Sequence, residues 1–161
     1  MKYSQQRDYI HSGHLLAWTH RSWKSWYDIK VQIVRFFTQS EYSHVGVAWR
    51  IGGRLFVIEA VVPQVRIYPL SRLGSFYHIP VAAHWTPEVT EFALQQVGKP
   101  YSQWKAIKSF FGPVKQDSYT ECAETAIVIL ASAGVNLGVL ATPTAVVREA
   151  LNGATLTLIT N

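Results

Sequence analysis

The sequence predicts an α+β domain in which an antiparallel sheet is backed by helices. Three observations predict it. Strand-like runs crowd the first half of the chain, helical runs crowd the second, and a glycine pair joins two strand runs where a tight hairpin would sit. At 161 residues the chain suits one domain with room for a real core. With no repeat, low-complexity tract or linker, it reads as a single unit over residues 1–161.

The elements follow in order. His14–Trp18, "HLLAW", has the look of a short buried strand. From Ser22 to about Phe37 the apolar residues Trp26, Ile29, Ile33 and Phe37 recur at helical spacing. Four strand-like runs come next: His44–Trp49, Arg54–Ala60, Val65–Pro69 and Phe76–Val81. A helix is then expected behind a Thr86 cap, with Pro87 at its first position and Gly98 just past its end. A second should run from about Tyr119 to Ala133 and stop at Gly134. A third should start at Pro143 behind Thr142 and stop near Gly153. Thr155–Ile159, "TLTLI", alternates like a closing strand.

Composition excludes some classes. A hydrophobic content of 48% with 16% charged residues is globular rather than disordered. The net charge of +5 permits an anionic partner, such as nucleic acid, lipid headgroups or cell-wall polymer, without choosing among them. One cysteine excludes an intrachain disulfide framework and a thiolate-rich zinc site. "MKYSQQRDYIHSG" lacks the apolar stretch of a signal peptide, so a cytoplasmic or virion-associated location is expected. The most apolar run, Ala126–Ala141, is broken by Gly134, Asn136 and Gly138 and is shorter than the roughly 20 residues of a membrane span.

That single cysteine, Cys122, lies in "SYTECAETAIVIL". Ser118 and Glu121 have capping-box spacing before an apolar run, which puts Cys122 in the first helical turn; a Thr120 cap leaves that unchanged. Orphan N–H groups and the helix dipole there stabilise a thiolate, the reactive form. Glu121 and Glu124 flank it and push the other way. Two readings stand: a nucleophile, or a small apolar residue in the core.

A nucleophile needs a base. His44 opens the strand "HVGVAW". A two-residue loop at Gly52-Gly53 pairs Ile51 with Arg54 and hence Gly46 with Glu59, making Glu59 the diagonal neighbour of His44 on one face. Glu59 also ends the apolar run "LFVI", an expensive place for a lone carboxylate. A carboxylate on one imidazole nitrogen fixes the tautomer and leaves the other nitrogen for a nucleophile. The plainer reading has His44 capping a strand end and Glu59 on a solvated rim.

With these residues in view, the chain resembles the circularly permuted, NlpC-type papain-like cysteine hydrolases, in their YiiX/YebB-like branch. The resemblance is carried by "SGHLLAW", "YSHVGVAW", "FVIEAVVPQVRIYPL", "ALQQVGKPYS" and "YTECAETAIVILASAGV", roughly Ser12–Val135. It implies a permuted papain-like fold, an antiparallel sheet or half-barrel packed against helices. It also implies Cys122 as nucleophile, His44 as general base, Glu59 as its orienting residue, and Glu59–Val65 as a border of the substrate cleft. Two places depart from the family pattern. Gly13-His14 stands where Gly-Asp is usual, and Ala123-Glu124 follows the cysteine where Ser-Glu is common.

The activity so implied is acyl chemistry through a thioester, hydrolytic or transferring, on peptide, cell-wall or lipid acyl substrates. The Cys122 N–H is the natural first oxyanion donor, and Tyr101 or Tyr119 could add a hydroxyl, although each tyrosine also reads as a packed aromatic with a wet tip. No cofactor or metal is expected: His11, His14, His20, His78 and His84 lack tight zinc spacing and a nearby carboxylate. "HRSWKSWYDIK", His20–Lys30, mixes basic and aromatic residues as nucleic-acid binders do, but a helix with a cationic outer face is the commoner source of that pattern, so no nucleic-acid partner is expected. A different class, a non-catalytic module of the same fold in a larger assembly such as a phage particle, would have no reason to hold Cys122, His44 and Glu59 in register.

Overall fold

The computed structural model describes residues 1–19, 41–101, 121–139 and 142–160. The helix expected over Ser22–Phe37, the "HRSWKSWYDIK" stretch, Ser118, Tyr119 and Thr120 lie outside the described residues.

Six strands form one antiparallel sheet: β1 (Leu15–Trp18), β2 (His44–Ile51), β3 (Arg54–Ala60), β4 (Val65–Pro69), β5 (Phe76–Ile79) and β6 (Thr157–Ile159), in the spatial order β4-β3-β2-β1-β5-β6. Four α-helices accompany it among the described residues: α1 (Tyr3–Gln6), α2 (Pro87–Gln96), α3 (Cys122–Ser132) and α4 (Pro143–Leu151). The architecture is the expected α+β arrangement.

Local chemistry sets most boundaries. Thr86 and Thr142 cap α2 and α4, each accepting through its hydroxyl from the N–H three residues on, with proline in the first turn of both helices. β5 stops at Ile79 because Pro80 has no N–H to continue the ladder. Gly52 and Gly53 both have positive φ, 54° and 73°, the backbone of a two-residue hairpin turn. Ile51 therefore faces Arg54 and the register runs on to Val47 opposite Ile58.

The start of α3 differs from the capping-box expectation. Glu121 is itself the cap residue, with extended backbone (φ −123°, ψ 170°), and its carbonyl accepts the first helical bond from Thr125. A residue in that conformation cannot occupy the third helical position that the box requires. Cys122 is consequently the first helical residue.

Each face of the sheet buries its own core. One packs Leu15, Ala17, Val45, Val47, Ile58 and Ala60 beneath Ala126, Ile129 and Leu130 of α3, Val146 and Val147 of α4, and Ala93 of α2. The other packs Leu16, Ala48, Val57 and Phe76 under Ile10 and Leu70. Arg50 ties the N-terminal segment down by donating to the carbonyls of Ile10 and Arg7. At the sheet edge, β4 is bordered by the segment after α2, where Val65 donates to Lys99 at 2.9 Å and Gly98 to Val65 at 2.9 Å.

Candidate functional site

The β2–β3 hairpin register places His44 and Glu59 as diagonal neighbours, and their side chains meet. His44 Nε2 lies 2.7 Å from Glu59 Oε2. The residue between them in register is Gly46, which makes the approach possible. A Cβ there would stand 2.6 Å from Val57 Cγ2, 3.1 Å from the Ile58 carbonyl and 3.2 Å from Glu59 Cβ.

Glu59 is 2% exposed and uses both oxygens. Oε2 takes His44, while Oε1 accepts from Arg66 Nε at 2.9 Å and Nη2 at 2.7 Å. Burial alone would raise this carboxyl. The hydrogen bonds and charges of His44 and then Arg66 outweigh burial and hold it below the usual carboxylate range.

The second partner of the imidazole is the Cys122 side chain. Alternation turns His44 towards the sheet face opposite the helices, together with Val57 and Glu59. But His44 is the first residue of β2, and its ring meets the first turn of α3 at the end of the sheet. With Nε2 on the carboxylate, Nδ1 is the ring nitrogen left for the sulfur. Burial pushes the imidazole down, but hydrogen bonds and charge from Cys122 and Glu59 outweigh that and carry it up to about 9. Trp18, opposite His44 in the β1–β2 ladder, walls the ring at a centroid distance of 5.3 Å.

The structure thus brings together Cys122, His44 and Glu59. Tyr101 lies beside the β3–β4 loop, where its N–H donates to the Pro63 carbonyl at 2.8 Å, and its ring packs against the core cluster that includes Cys122. Tyr119 is outside the described residues. Arg66 and Trp18 escaped the sequence reading, yet both were signalled. Four residues separate Ala60 from Val65, and closing that loop sets Glu59 opposite Arg66. Pairing "HLLAW" antiparallel with "HVGVAW" sets Trp18 opposite His44.

A second group of imidazoles lies four residues back along β1, roughly 13 Å from the His44 end. His14 turns its Nδ1 to His78 Nε2 at 2.8 Å and accepts from the His11 N–H at 3.2 Å. The His11 ring stands edge-on to His14 at 5.3 Å. Burial first, then the neighbouring imidazoles, lowers both His14 and His78 to about 4. Because folding depresses these values below the ordinary 6.5, their contribution to stability is complete above that pH and is lost as pH falls towards 4. The melting temperature should therefore drop across this window, and His78→Leu, whose side chain would join Leu16 on the apolar face, should shrink the drop when melts are compared from about pH 7 to about pH 4.5.

No protein-family model matches the chain, and no curated protein matches it. Among solved structures, the crystal structure of metalloprotein yiiX from Escherichia coli O157:H7 superposes with a TM-score of 0.58 at 20% identity, over 94% of this chain and 97% of that one. The fold is similar to that of YiiX. At that identity the likeness carries the architecture and not the chemistry.

The word metalloprotein belongs to that neighbour. Among the described residues here, no group of three or more His, Cys, Asp or Glu side chains is arranged to hold a metal ion. In the three-histidine group, His14 Nδ1 is already engaged by the His11 backbone N–H and faces His78 Nε2. No described helix is long and apolar enough to cross a membrane.

Proposed function

We propose that this chain is a cysteine hydrolase of the permuted, NlpC-type papain-like kind, acting on a peptide, cell-wall or lipid acyl bond. The observation that carries the reading is the bond between His44 Nε2 and Glu59 Oε2 at 2.7 Å, on an imidazole whose other partner is the Cys122 thiol. A packed structural thiol has no need of an oriented imidazole.

In the mechanism, the Cys122 proton passes to His44 Nδ1, and Glu59 accepts the hydrogen bond from Nε2–H and stabilises the imidazolium. The sulfur attacks the acyl carbon, and the carbonyl π electrons move to oxygen. Cys122 opens α3, where the backbone N–H groups point out of the helix start, so the Cys122 N–H is a donor for that oxyanion. The tetrahedral species collapses to an acyl-thioester as His44 hands its proton to the leaving group. Water, deprotonated by His44, then releases the acid and regenerates the thiol. A nucleophile other than water in this last step would make the same site an acyltransferase.

Alkylation of Cys122 by iodoacetamide, followed by mass spectrometry in the native chain and in His44→Ala, tests the reading. Rapid labelling near neutral pH that slows in the variant supports it. Labelling that appears only after unfolding, or at equal rates in both chains, rules it out. A thioester adduct on Cys122 after incubation with peptidoglycan fragments or phospholipids would then name the substrate class.

A further inference from the structure

We propose that Arg66 is a positioning residue of this site, aiming the imidazole of His44 at Cys122 by gripping the other oxygen of Glu59. The proposal rests on the cysteine-hydrolase reading and deepens it.

A carboxylate that accepts one hydrogen bond is free to rotate about its last bond. In this chain it is not. Arg66 Nε and Nη2 both donate to Oε1, at 2.9 and 2.7 Å, while Oε2 faces His44 at 2.7 Å. Two nitrogens of one rigid plane closing on a single oxygen fix the direction in which the second oxygen points, and through it the plane of the imidazole. Glu59 is buried, which shields its oxygens from bulk solvent.

The guanidinium is itself held. Arg66 faces Glu59 across the β3–β4 ladder, and its central carbon lies 4.5 Å from the centre of the Tyr68 ring, two residues along the same strand face. The Tyr68 ring lies under the central carbon while Nε and Nη2 reach the carboxylate. Lysine at this position would keep a positive charge without the two-nitrogen edge.

Charge gives Arg66 a second effect. With the proton on His44, the row Cys122, His44, Glu59, Arg66 alternates in sign and sums to zero. Removing the last member leaves an excess negative charge in a desolvated place, and burial then drives Glu59 towards protonation. A protonated Glu59 no longer accepts from Nε2–H, and the aim of the ring is lost.

The test uses the full chain with Arg66→Met and Arg66→Lys, measuring the iodoacetamide rate at Cys122 from about pH 4 to about pH 9 and the melting temperature of each variant. Arg66→Met is expected to move the acid limb of the rate profile upward by about one pH unit. Arg66→Lys, which keeps the charge but not the grip, is expected to slow labelling about 3- to 10-fold near neutral pH. A merely structural arginine would change melting and leave the profile in place. An Arg66→Met profile superimposable on that of the parent chain overturns the proposal. Where Arg66→Met does not fold, an unchanged rate in folded Arg66→Lys overturns it. If His44→Ala labels like the parent, the hydrolase reading itself has failed; if His44→Ala is slow while both Arg66 variants match the parent, only the role of Arg66 has.

Discussion

Glu59→Gln is expected to slow alkylation of Cys122 about 10- to 10²-fold near neutral pH while leaving the chain folded. Glutamine has nearly the shape of glutamate, so the core around residue 59 stays filled. What disappears is the charge that, with Cys122, keeps His44 protonated against the opposing pull of burial. The amide also presents either an oxygen or an NH2 to each neighbour. If its oxygen stays with Arg66, its NH2 faces a ring nitrogen that needs an acceptor, and the imidazole must turn or change tautomer. The alkaline side gives a second reading. Folding raises His44 above its ordinary value, so its contribution is present below that value and is lost as pH rises through about 9. Under the proposed mechanism, acyl transfer should fall above about 9, where His44 no longer has a proton for the leaving group, and in Glu59→Gln this limb should move to lower pH. A glutamine variant that labels as fast as the parent would remove Glu59 from the proposed machinery.

Gly46→Ala is expected to be the most damaging single methyl near the site, costing about 1–3 kcal/mol of stability. The added carbon would press on Val57 Cγ2 at 2.6 Å and on the Ile58 carbonyl at 3.1 Å, and the second of these is backbone that cannot swing aside. It would also meet Glu59 Cβ at 3.2 Å and push the carboxylate off its line to His44. Denaturant melts should therefore show the loss together with a drop in labelling rate. The double variant Gly46→Ala/Val57→Ala separates the two effects. Taking away Val57 Cγ2 should restore part of the stability but not the reactivity, since the contact with Glu59 remains. A single variant as stable and as reactive as the parent would show that the hairpin can absorb the methyl.

Much of this arrangement could be read from the chain. The pairing of His44 with Glu59 followed from the parity of a two-glycine turn, because side chains alternate with a period of two and the turn leaves no freedom of register. The strand limits of β3 and β4, and the caps of α2 and α4, were equally local and equally legible. The junction of these residues with Cys122 was not available from spacing alone, because nothing in residues 44–59 encodes where a helix starting at residue 122 will dock; only the likeness to a known family suggested it. The α3 start was misplaced for a related reason. Ser-x-x-Glu spacing is compatible with a cap at Ser118, whereas the first residue of the helix is set by the extended backbone at Glu121. Arg66 was missed although its cue was local, since a basic residue in a strand has many uses, and its partner emerges only once the β3–β4 loop is closed.

His44 and the two side chains that hold it all come from one short stretch of neighbouring strands, Glu59 lying 15 positions after His44 and Arg66 7 positions after Glu59. The sulfur arrives from far down the polypeptide. Loop-closure entropy favours the early assembly of such a meander and makes docking of the cysteine helix the later event. An incompletely folded chain would then carry an ordinary thiol beside no imidazole, so under the proposed function the capacity for attack would switch on together with the native packing around it, sparing a nascent polypeptide a reactive sulfur.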